Sequence, residues 1–144
     1  MFEKQRSYPT ALSTRDEAGV QQAIAWVIAQ QRQSGGQILL YLPGKQNLRA
    51  NPVIERFSRL PGVVVGTWRA GSTFSWSGGP VLATWPNREK LAEIADAHRV
   101  TALCVIPWVD AEVEAWQAAA APELLAEQLR LVRRRPWTLS SSKG

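Results

Sequence analysis

Four short apolar runs, at residues 37–42, 63–68, 81–85 and 100–108, constrain this chain more than anything else in it. Each is nearly continuous rather than alternating. An alternating run suits a strand with one wet face. An unbroken run suits a strand covered on both faces, as in a parallel sheet between two helical layers. Helical patterns separate the runs. Val20, Ala23, Ile24, Val27 and Ile28 form a stripe at spacings of three and four, ahead of the glycines at 35 and 36. Thr14-Arg15-Asp16-Glu17 reads as a capping box for that helix, with Thr14 as the cap. Residues 51–60 carry Pro52 in a first turn, and Asn87 is placed to cap residues 87–98. After the fourth run Asp110 reads as the cap of a helix bearing Val113 and Trp116, which Pro122 interrupts or restarts.

The resulting order, α-β-α-β-β-α-β-α, predicts a three-layer α/β sandwich with a mainly parallel four-stranded sheet. The connection at residues 69–79 breaks the alternation. It is too rich in glycine and serine for a helix, and a parallel crossover usually takes a dozen or more residues. The expectation is an antiparallel hairpin of the second and third strands, with a long functional loop as the alternative. Residues 1–128 read as one α/β domain. Residues 129–144 read as a basic helix end followed by a disordered tail.

Charge is segregated. The chain carries 17 basic and 12 acidic residues, a formal net charge of +5. No acid follows Glu127, whereas Arg130, Arg133, Arg134, Arg135 and Lys143 do, so residues 1–127 hold twelve charges of each sign. Attraction to phosphates would therefore come from the tail, where Trp137 can also stack. Arginines in a last helical turn also suit the macrodipole without any ligand.

Catalytic signals are sparse. One cysteine (Cys104) and one histidine (His98) exclude a disulfide framework and the usual Cys/His zinc sites, and no cofactor motif stands out. Pro43-Gly44-Lys45 follows a strand, but Leu39 and Gln46 stand where a P-loop needs glycine and Ser/Thr. Cys104 lies in the most apolar run and reads as a buried hydrophobe. His98 has no evident orienting carboxylate. The first residues lack an apolar signal core and no run approaches the ~20 residues of a membrane span, so a soluble, cytoplasmic protein is expected.

Tryptophan is the feature with the most functional content. Of seven, Trp68, Trp85 and Trp108 end successive apolar runs. In a parallel sheet these indoles gather at the carboxyl edge, beside Lys45, Arg49, Arg69, Asn87 and Asp110. Aromatic walls with a few polar groups suit small-molecule and base-stacking sites. Large hydrophobic plugs closing the sheet ends would read the same way. The expectation is a non-enzymatic binding module for an anionic partner, nucleic acid or a nucleotide-bearing assembly. Two alternatives stay open: an enzyme on a phosphate-bearing small molecule, using Lys45, Arg69 and Asp110, and a subunit of a protein complex or homo-oligomer with Trp26 and Trp116 as anchors.

Overall fold

The computed structural model describes residues 8–68 and 76–125. Along them run β1 (Thr10–Leu12), α1 (Glu17–Ser34), β2 (Ile38–Leu42), α2 (Gln46–Arg49), α3 (Pro52–Ser58), β3 (Val63–Thr67) and β4 (Gly79–Thr84). There follow α4 (Arg88–Ala95), β5 (Val100–Ile106), a 3-10 turn (Asp110–Glu112), α5 (Glu114–Ala120) and β6 (Glu123–Leu124). The strands form one sheet in the order β3-β2-β4-β5-β1-β6, and every pairing is parallel.

The α/β class follows from the apolar runs, and alternate residues of each strand serve opposite layers. Ile38, Leu40 and Leu42 of β2 join Val20, Ala23 and Val27 of α1 and Ile54 and Phe57 of α3 in one core. Leu39 and Tyr41 join Leu91 and Ile94 of α4, Val113 just ahead of α5 and Trp116 within it in the other. Fully burying each such side chain stabilises the fold by about 1.5–3 kcal/mol. Among the described residues no helix is long and apolar enough to cross a membrane.

Two sequence expectations are corrected. Among the described residues the sheet has six strands rather than four, because β1 and β6 are three and two residues long and too short to stand out as apolar runs. Nor is there an antiparallel hairpin. β3 and β4 are not neighbours: both lie parallel to β2, on opposite sides of it. The glycines and serines of the connection removed the helical pattern that usually marks such a crossover. At its described end, Trp76 packs into the α4-side core and donates its indole N–H to Gln37 O at 2.7 Å.

Smaller shifts concern the caps. The cap of α1 is Asp16, not Thr14: Asp16 Oδ1 accepts from the Gly19 amide, and the Thr14 hydroxyl donates to Asp16. Asp110 opens a 3-10 turn without a side-chain cap bond, and after Pro122 the residues Glu123 and Leu124 pair with β1 before Leu125, the last described residue, turns helical. Asn87 caps α4 and Gly35 closes α1 at φ 78°, as expected, while the cap of α3 ahead of Pro52 is Asn51. The basic tail lies outside the described residues.

Candidate functional site

The sheet order contains a reversal. From β2 the chain moves outward to β3, then returns across β2 to β4 and on to β5. Crevices at the carboxyl ends of strands form at such a switch point, because the flanking connections leave in opposite directions. A cleft of about 590 Å³ opens there, within the usual range for small-molecule pockets. Trp68, Trp85 and Trp108, which follow β3, β4 and β5, all line it, together with Pro43 after β2. Trp85 and Trp108 meet edge to face, with ring centroids 6.5 Å apart and planes at 88°. That arrangement sets the positive edge of one ring against the negative face of the other.

Three asparagines add polar groups, each oriented by its own backbone. Asn47 Oδ1 accepts from the Gly44 amide at 3.0 Å. Asn51 Oδ1 accepts from Val53 and Ile54 at 3.1 Å, and Asn87 Oδ1 accepts from Lys90 at 2.8 Å. Each residue retains its amide nitrogen, a donor pair, with no acceptor among the described residues. The Trp85 indole N–H is also buried without an acceptor among them. Donors therefore predominate in this cleft. The one carboxylate lining it among the described residues, Glu112, accepts from the Arg88 amide at 2.7 Å and so occupies the amino end of α4.

Arg15 supplies the positive charge. Its guanidinium lies 5.1 Å from the Trp108 ring centroid, and Nη1 donates to Trp108 O at 2.6 Å. Trp108 and Val109 are the exposed apolar rim, at 60% and 50%.

The structure thus brings together Trp68, Trp85, Asn87 and Trp108 of the residues picked out from the sequence. Lys45 and Arg49 are exposed on the α2 turn and do not line the cleft. The Gly44 amide that a phosphate would use is held by Asn47. Asp110 lines an adjoining cleft. Arg69, Arg130, Arg133, Arg134, Arg135 and Trp137 lie outside the described residues.

Arg15, Asn47, Asn51 and Glu112 were missed. For Arg15 a signal existed: a cation one residue ahead of a helix cap opposes the macrodipole and calls for another reason to be there. Of the other reactive groups, His98 is exposed at the opposite, amino edge of the sheet. Cys104 is fully buried in β5, which pushes its thiol pKa up and leaves it a poor nucleophile. No group of three or more metal-ligating side chains occurs among the described residues. Comparison with known proteins finds no matching family model, no similar curated protein and no similar solved structure.

Proposed function

We propose that this protein is a non-enzymatic α/β binding module whose aromatic cleft takes a planar, acceptor-rich group. The group is a base or nucleotide of an anionic partner, either nucleic acid or a nucleotide-bearing assembly. The observation that carries the reading is the convergence of three strand-end indoles with three asparagines anchored by backbone amides at the switch point of the sheet. Indole faces suit any base, and amide donors suit ring nitrogens and carbonyls. Glu112 can accept from an exocyclic amine. The excess positive charge after Glu127 would add affinity for the backbone.

Two other readings have less support. An enzyme working through Lys45, Arg69 and Asp110 would need them together, whereas Lys45 and Asp110 line different surfaces. A subunit anchored by Trp26 and Trp116 would need those rings outside the fold. Trp116 is 2% exposed in the α4-side core, and Trp26 packs against the other core with its N–H 3.3 Å from Glu123.

Tryptophan fluorescence titrated with adenosine and with short single-stranded oligonucleotides tests the proposal. Saturable quenching is expected, weakened about 5- to 100-fold by Trp108→Ala. Replacing Arg130, Arg133, Arg134 and Arg135 with glutamine should flatten a log–log salt slope of roughly −3 on single strands. Quenching that never saturates, or that Trp108→Ala leaves intact, would remove the cleft from consideration.

A further inference from the structure

The carboxyl edge holds a second cleft beside the first. It encloses about 440 Å³ and is lined by Ser13, Thr14, Arg15, Asp110, Glu114 and Gln117, among others. The chemistry differs from the aromatic cleft. Indoles and amide donors wall the first, hydroxyls and carboxylates the second. The partition between them is the segment leaving β5. Its Trp108, Val109 and Glu112 face the aromatic cleft, and its Pro107 and Asp110 face the polar one.

Arg15 lines both clefts and is the one cation among the described residues lining either. It is held at the partition by its stack on Trp108 and its bond to Trp108 O. A guanidinium has five donors in a planar fork, and this bond uses one of them, so the fork can still take an anion. The two carboxylates of the polar cleft repel a phosphate and accept from hydroxyls, which is how acidic side chains hold a ribose. In order along the edge the surface offers an aromatic slot, one cation, and an acceptor-lined recess.

We infer that the two clefts form one bipartite site for single-stranded RNA, spanning at least two nucleotides. One base lies against Trp85 and Trp108, the adjoining phosphodiester pairs with Arg15, and the next ribose gives its 2′-hydroxyl to Asp110 or Glu114. This inference rests on the reading of the aromatic cleft as a base site. It adds a minimum length and a preference for ribose.

Calorimetric titration of the full chain with adenosine, the diribonucleotide ApA and its deoxy counterpart tests it. ApA should bind at least about tenfold tighter than adenosine, through the added phosphate and ribose contacts, and the deoxy form should lose most of that gain. Arg15→Gln should shrink the ApA advantage over adenosine. Asp110→Ala combined with Glu114→Ala, both at exposed positions, removes the acceptors and should bring ribose and deoxyribose ligands to equal affinity. Circular dichroism melts check that each variant is folded, and Arg15→Lys should restore part of the phosphate gain if Arg15→Gln loses it. Adenosine and ApA binding alike would overturn the bipartite site and leave the base slot standing, as would ribose preference that survives the double variant. Failure of all three ligands to bind at millimolar concentration would remove both.

Discussion

The two ends of the sheet are built from opposite residues. At the amino ends stand Gly36 before β2, Gly62 before β3, and Gly78 and Gly79 at β4. At the carboxyl ends stand Trp68, Trp85 and Trp108. Glycine lets backbones touch: Gln37 N–H donates to Gly78 O at 2.9 Å, Ile38 to Gly62 O at 2.9 Å, and Gly79 to Arg99 O at 3.0 Å. Backbone pairing reaches the other ends too, where the Trp68 N–H donates to Leu42 O at 3.1 Å and the Trp85 N–H to Ile106 O at 2.7 Å, but there the indoles beyond the strands line an open cleft. Unusual backbone is also distributed unequally. The positive-φ glycines described cluster before strands, whereas Trp85, at φ 55°, is a bulky residue in the left-handed region at the cleft. One end is closed by backbone contact and should govern stability. The other is open and should govern binding.

The amino end gives the largest expected effect. A Cβ on Gly79 would lie 2.2 Å from Gln37 O and 2.8 Å from Gln37 N, at φ +144°. Both neighbours are backbone and neither can yield without breaking the β2–β4 contact. Gly79→Ala should cost about 3 kcal/mol or more in urea unfolding. Gly35→Ala, at φ +78° with nothing within 4 Å of the added carbon, should cost only about 1–2 kcal/mol. Equal costs would mean the amino edge is not held by close approach.

Tryptophans divide the same way. Trp116 is 2% exposed and Trp108 is 60% exposed. Trp116→Ala should cost about 3–5 kcal/mol of stability. Trp108→Ala should change stability by no more than about 0.5 kcal/mol while losing about 1–3 kcal/mol of base binding. Thermal melts and titration of the same two variants separate these roles. A large stability loss at Trp108 would make it a plug of the sheet end after all.

What could be read in advance follows a physical line. An apolar run registers only over several residues, so β2, β3, β4 and β5, with five to seven residues each, were visible. β1 and β6 were not, because their pairing is set by neighbours distant in the chain. Local capping chemistry at Asn87 was legible for the converse reason: donor and acceptor lie within three residues. The Thr14 error has the same root, since Thr14 and Asp16 both suit a cap and only the backbone conformation chooses. At the candidate site the residues ending strands were found, because strand ends mark the edge. Arg15 and Glu112 arrive from connections whose path depends on the strand order, and the sequence does not state that order.

A small net change in stability is also expected at Trp85, where two opposing contributions meet, and it tests the comparison most closely. Its backbone N–H donates to Ile106 O at 2.7 Å, so pairing with β5 continues past the end of β4 even though φ is positive. The surrounding strands therefore hold this residue in a conformation that costs about 1–3 kcal/mol. Its indole N–H is buried without an acceptor among the described residues, and leaving such a donor unmade costs a further ~1–3 kcal/mol. Phenylalanine keeps an aromatic ring against Trp108 and removes the donor. The lost ring volume and the removed penalty oppose each other, so Trp85→Phe should shift stability by less than about 1 kcal/mol in either direction. Base affinity should still fall about fivefold, through the smaller aromatic surface that phenylalanine offers for stacking. If the variant instead unfolds 3 kcal/mol more easily, the N–H already has a partner in the free protein. The carboxyl end would then be a closed plug, and the difference between the two ends of the sheet would be one of residue size alone.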